Sequence, residues 1–417
     1  MCFIFSFTLP ALAADTTFEV LEPRSEIQHV RVNKDVSLDI YLPESANKQP
    51  SETQKSPTQS KRYPVLYVMD SQRYFYSALG YQKTLRDGAN ISPEYIVVGI
   101  NTSNVAMSRQ HFLQTDANQT IKLIRDAIIP YVDTHYPSNE KRAYFGWQFA
   151  AMFGLDLFNA APELFEAYFL ASGQHYSEAQ LATLEENLKR ANTLNLHVYL
   201  SLGKMETHTL SGHTTMATMF EKYQPKGIRW KFSHFDRFSI RYDHHTTPLE
   251  SLSHGLEWYF SDYPDLTFYS LDDIEQFGGV SAVKAYYRKR AKRYSVSADV
   301  GEQAKFSMFR HAAQENNYRL FSIFEKELGP FEATGWYGFF AQFFFNNQQF
   351  ERAAQLYQSG LSNRPDDHRY WGGLAQTYES MIRHQDALKY YRGALTRTKA
   401  GSPDATTYQQ AISRLTK

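Results

Sequence analysis

Two hydrophobic periodicities divide the chain. Up to about residue 262, short apolar runs alternate with amphipathic stretches; beyond it only helical spacing remains. Residues 64–70 and 95–100 are continuous apolar runs, the pattern of strands buried on both faces. Between residues 27 and 42 the pattern alternates around Asn33, Lys34 and Asp35, which predicts a hairpin with Val36, Leu38, Ile40 and Leu42 on one face. Residues 44–62 are mostly Ser, Thr, Gln, Lys and Pro with almost nothing apolar, and predict a solvated surface loop. Helical spacing predicts helices over 74–85 and 118–135, the second through Ile121, Ile124, Ile128 and Val132. Residues 142–151 predict a short strand and a sharp turn, and the apolar run 152–161 a helix after them. Strands at 167–171, 197–202 and 229–235 alternate with helices at 178–191 and 214–223, and a helix over 248–259 closes the series. Strands alternating with helices predict an α/β fold, a mostly parallel sheet with helices on both faces.

From residue 334 a period of 34 appears. Tyr337, Phe340, Ala341, Phe344, Ala353, Tyr357 and Gly360 are echoed by Trp371, Leu374, Ala375, Tyr378, Ala387, Tyr391 and Ala394. This alternation of large and small residues resembles the tetratricopeptide repeat, in which small residues let paired helices approach closely. Pro365 falls at the repeat's proline position, where the second copy has Lys399, and residues 306–328 resemble a degraded earlier copy. Such repeats imply a protein partner docked through 334–400, or a structural or dimerisation element.

Composition adds an address and excludes some partners. Forty-four Lys and Arg balance forty-four Asp and Glu, so no basic surface predicts nucleic acid or an anionic membrane as partner. Residues 1–14 form a short apolar segment ending in Ala-Leu-Ala-Ala, as a signal peptide does, although its charged leading region is missing. The segment is too short to span a bilayer, and the expected product is exported, periplasmic or secreted. Cys2 is the single cysteine and would leave with that segment, so no disulfide, thiol nucleophile or thiolate site is expected. No cofactor is expected either. His244 and His245 are adjacent with Asp236 and Asp243 nearby, but no i,i+4 histidine pair suggests zinc. The expected organisation is a signal peptide over 1–14, an α/β domain over 15–262, a helical connector over 263–333 and repeats over 334–417.

The turn Gly146-Trp147-Gln148-Phe149-Ala150-Ala151 carries a further resemblance. Its strand–turn–helix context, with the chain around it from about 25 to 262, resembles the esterase family of α/β-hydrolases. That family includes siderophore esterases, S-formylglutathione hydrolases and feruloyl esterases. Its elbow typically reads Gly-His-Ser-x-Gly-Gly, which places Gln148 where the nucleophilic serine would stand. The resemblance implies His244 as the histidine, because 243–252 with Gly255 and Leu256 is similar to the family's His-Gly-Thr-Thr-Pro segment; His245 takes the glycine position. Gly203-Lys204-Met205-Glu206 is similar to the family's glycine-then-carboxylate turn and implies Glu206 as the acid. The implied oxyanion donors are the backbone N–H groups of Ser71 or Gln72 and of Phe149, with Ser71 where the family has glycine. Asn104 and Met107 stand where the family has a cleft arginine and aspartate, and Ser172 aligns with a serine after the next strand, not with a nucleophile.

A glutamine amide cannot act as the nucleophile, because its nitrogen lone pair is delocalised and it cannot carry an acyl group. The expectation is therefore an exported esterase-like protein impaired in catalysis, binding a small ester-like ligand or a protein. Two alternatives stand beside it: an active ester hydrolase working through His244, and a docking protein whose repeats do the whole task.

Overall fold

The computed structural model describes residues 27–33, 36–47, 61–88, 91–103, 109–190, 194–236 and 240–417. The expected signal peptide, Asn104 and Met107 lie outside them. The chain forms two compact units that part between Phe260 and Ser261.

The first unit is built on one eight-stranded mixed sheet of order β1-β2-β4-β3-β5-β6-β7-β8. The strands are β1 Ile27–Arg31, β2 Ser37–Tyr41, β3 Tyr63–Met69, β4 Ile96–Asn101, β5 Ser138–Trp147, β6 Ala167–Ala171, β7 Leu196–Gly203 and β8 Ile228–Phe235. β1 and β2 run antiparallel to each other, and β2 to β4; every pairing from β4 to β8 is parallel. Every residue of β3, β6 and β7 is buried; β3 and β6 are unbroken apolar runs, while β7 also buries His197 and Ser201. Successive side chains of a strand face opposite sides, so Tyr144 joins the core under helix Phe149–Ala160 while Phe145 meets Tyr74 of helix Ser71–Lys83 at 5.6 Å. Phe169 likewise meets Tyr259 of helix Ile240–Tyr259 at 6.0 Å, so helices cover both faces. The chain leaves β3 for β4 on one side and returns to β5 on the other. This reversal of strand order opens a crevice at the carboxyl ends of β3 and β5, the place where open α/β sheets bind ligands.

Three elements differ from the sequence expectation. Residues 44–47 of the expected loop form a helical turn, tied down by the Ser45 hydroxyl, which donates to Glu94 Oε2 at 2.5 Å. The helix expected over 118–135 is broken into Ala117–Leu123, a wide π-turn Ile124–Ile128 and Ile129–His135. Pro130 explains it, since a proline has no N–H and its ring clashes with the carbonyl four residues back. The closing helix begins at Ile240, eight residues earlier than expected, and takes Pro248 into its interior.

The second unit is helical among its described residues. Helices Glu302–Gln314 and Tyr318–Leu328, Tyr337–Asn346 and Phe350–Asn363, and His368–Ser380 and His384–Arg397 form successive pairs, followed by Pro403–Leu415. Each pair turns through one left-handed residue: Asn316, Gln348 and Ile382, with φ of 51, 58 and 60°. The next N–H reaches five residues back in all three: Asn317 to Ala312, Gln349 to Phe344 and Arg383 to Tyr378, at 2.8–2.9 Å. Residues 302–328 thus share the turn of the later pairs although their sequence spacing is irregular. Close helix contact needs small residues, and a Cβ on Gly373 would lie 2.4 Å from the Tyr357 ring.

Candidate active site

The turn after β5 keeps a strained elbow. Gln148 sits at φ 59°, ψ −116°, a region that costs a non-glycine residue about 1–3 kcal/mol. Its N–H donates to Ala171 O at 2.9 Å, and its carbonyl accepts from Ala151 and Met152 as helix Phe149–Ala160 begins. The approach is close: a Cβ on Gly146 would lie 2.4 Å from the Ala150 carbonyl oxygen. Ala150 and Ala151, where the family has glycines, are fully buried without disturbing this turn.

The Gln148 side chain is held by Arg109. Arg109 Nη1 donates to Gln148 Oε1 at 3.2 Å, and Nη2 donates to the Trp147 carbonyl at 2.8 Å. The same guanidinium forms a fork on Asp70, Nε to Oδ1 at 2.7 Å and Nη2 to Oδ2 at 2.5 Å. Asp70, fully buried at the end of β3, also accepts from the Thr102 hydroxyl at 2.6 Å. Arg109 therefore ties the ends of β3 and β5 to the elbow. Sequence reading missed it; the available signal was an arginine five residues beyond Asn104.

The structure brings Glu206 and His244 together. Glu206 is buried in the turn after β7, and its Oε1 is hydrogen-bonded to Nδ1 of half-buried His244. Its Oε2 accepts from the Gly203 N–H at 2.7 Å and from the Ser172 hydroxyl at 2.8 Å. Burial by itself would raise the Glu206 carboxyl, but the hydrogen bonds from His244, Gly203 and Ser172 outweigh it and hold the group below its ordinary value. Ser172 is thus a partner of the Glu206 carboxylate, a contact across 34 residues that the sequence did not disclose.

His244 is placed by an interior proline. Pro248 has no N–H to give the carbonyl four residues back, which is that of His244. That carbonyl accepts instead from the Trp147 indole N–H at 3.2 Å, and the Trp147 and His244 rings lie 4.8 Å apart. Elbow strand and histidine are therefore joined directly. His245 is exposed, 5.9 Å from the Trp147 ring.

The implied oxyanion residues sit where two helices start. Ser71 and Gln72 open helix Ser71–Lys83 and Phe149 opens the elbow helix, so their N–H groups have no acceptor within those helices. The Ser71 side chain is buried and donates to Asp39, in space that Gly99 leaves free. The Gln72 amide donates to the Thr102 hydroxyl at 3.0 Å and accepts from the Thr102 N–H at 3.2 Å. No group of three or more His, Cys, Asp or Glu is placed to hold a metal ion among the described residues. Nor is any helix among them long and apolar enough to cross a membrane.

A family model described as "Putative esterase" matches residues 30–256, more than half of the chain. The chain belongs to this esterase family. Among solved structures, an IroE-like serine hydrolase from Shewanella oneidensis is similar at 15% identity, over 72% of this chain and 97% of that one, with a TM-score of 0.51. The siderophore hydrolase EstA from Aspergillus nidulans matches at 13% identity, over 59% of this chain and 98% of its own, with a TM-score of 0.47. An uncharacterised protein from Capnocytophaga ochracea covers 94% of this chain and 99% of its own at 14% identity and a TM-score of 0.45. No curated protein matches by sequence. At 15% identity the Shewanella oneidensis structure shows the fold alone, an α/β-hydrolase sheet, followed here by a helical unit.

Proposed function

We propose that this esterase-family chain is an exported protein that has lost acyl-enzyme chemistry and uses its first unit to bind a small ligand. One observation carries the reading: Gln148 occupies a strained elbow with its amide held by Arg109, while Glu206 and His244 remain bonded. The similar protein from Shewanella oneidensis is described as a serine hydrolase, whereas this elbow offers no hydroxyl. In a well-studied protease, loss of the serine alone lowers turnover about a millionfold. The helices over 334–417 are read as tetratricopeptide-like repeats that dock a protein partner, and residues 1–14 as a signal peptide. The retained Glu206–His244 bond favours a second reading, hydrolysis by water activated at His244.

The test is hydrolysis of activated short- and medium-chain esters by the parent chain, Gln148→Ser and His244→Ala. The parent is expected to be silent and Gln148→Ser to gain turnover. Turnover by the parent that His244→Ala abolishes would establish the second reading instead.

A further inference from the structure

Beside the elbow lies a cleft of about 940 Å³. Helix Phe149–Ala160 lines it with Phe149, Met152 and Asp156, and residues of 110–121 and 174–183 line it from either side. Its chemistry is that of uncharged amides: Gln110, Gln114, Asn118, Asn159, Gln174 and Gln180 all line it. No lysine or arginine is among its described lining residues. The guanidinium of nearby Arg109 is already engaged by Asp70, the Trp147 carbonyl and Gln148. An anionic ligand would thus meet the Asp156 carboxylate, with the exposed His175 imidazole the one basic side chain among the described lining residues. Ile121, Phe149 and Met152 add apolar surface between these polar groups.

We propose that this cleft binds a neutral, multiply hydroxylated ligand, a short oligosaccharide, through its carboxamides. An unengaged carboxamide presents a donor and an acceptor side by side, which matches a pair of neighbouring hydroxyls without burying charge. Asn118 and Gln174 make no side-chain hydrogen bond within the described residues and face the cleft with both groups available. Gln180 Nε2 donates to Asp156 Oδ1 at 2.7 Å, which leaves the second carboxylate oxygen for a ligand hydroxyl. Phe149, half-buried at the elbow end, supplies an apolar face for a sugar ring.

The inference rests on the first unit being a ligand-binding module. It is tested by calorimetric titration of the full chain with cellotetraose, xylotetraose, maltotetraose and chitotetraose, with citrate and benzoate as anionic probes. At least one sugar is expected to saturate the protein, and Asn118→Leu and Gln174→Leu each to weaken it about tenfold, the loss of one good hydrogen bond. Circular dichroism of both variants confirms that they fold. The proposal is overturned if no sugar binds below about 10 mM, if both folded variants bind the sugar as the parent does, or if citrate or benzoate binds more tightly than any sugar. Anion binding alone would sink the ligand class and leave the binding module standing. Sugar binding together with His244-dependent ester turnover would do the reverse.

Discussion

Removal of Arg109 should reveal how far the elbow depends on a buried ion pair. Asp70 is fully buried, and two of its three side-chain partners' bonds come from the one guanidinium, with Thr102 supplying the other. Arg109→Met leaves that carboxylate buried with a single hydroxyl donor. Breaking a buried pair from one side costs about 3–5 kcal/mol. For a unit of this size each kcal/mol moves the midpoint by roughly 2–4 °C, so a fall of roughly 6–20 °C is expected. Asp70→Asn removes the charge that is left behind. In that background the same arginine change should cost only about 1–2 kcal/mol, the worth of its remaining hydrogen bonds. Differential scanning calorimetry is the assay, with the transition of the helical unit as an internal reference. A shift below about 2 °C, or an equal cost in the Asp70→Asn background, would refute the ion pair as the tie between β3 and the elbow.

Two further outcomes follow from particular residues. His213 is buried and its Nδ1–H donates to Thr209 O at 3.1 Å while Nε2 has no partner among the described residues, and burial pushes its pKa down to about 4. Glu206 opposes that shift and His234 adds to it. The unfolded chain therefore binds a proton near pH 6.5 that the folded one refuses until about pH 4, so stability rises with pH across this window. Acidification through it should cost about 3 kcal/mol, and urea unfolding of His213→Phe at pH 4.5 and 7 should show a flatter dependence. Ile382 is 78% exposed at φ 60°, where a branched L-residue is disfavoured by about 1–2 kcal/mol. Ile382→Gly should stabilise the helical unit by about 0.5–1 kcal/mol in urea unfolding, since little burial is lost and the gain is offset in part by unfolded-state entropy. A loss of stability would mean that the turn is not strained.

How much of the molecule was legible depended on whether a feature is local. β3 and β4 declared themselves because strands buried on both faces need unbroken apolar runs, and the paired helices because packing repeats every 34 residues. The helix pair at 302–328 was only faintly legible, for its likeness to the later pairs lies in a left-handed turn that Asn316, Gln348 and Ile382 adopt with unrelated side chains. Residue identity alone was enough to say that the elbow lacks a hydroxyl at Gln148, because that is a fact of chemistry and not of position.

Position itself was decided by the tertiary structure. Arg109 reaches Asp70 and Gln148 across 39 residues in each direction, and Ser172 reaches Glu206 across 34. Pro248 in sequence reads as a helix start; inside the helix it frees the His244 carbonyl for Trp147, 97 residues away. None of these contacts has a period or a composition, since each arises only when the sheet aligns the ends of β3, β5, β6 and β7 side by side. The sequence by itself determined which strands, helices and chemical groups this chain possesses. The packed sheet decided which of those groups meet, because a hydrogen bond depends on separation in space and a sequence pattern records only separation along the chain.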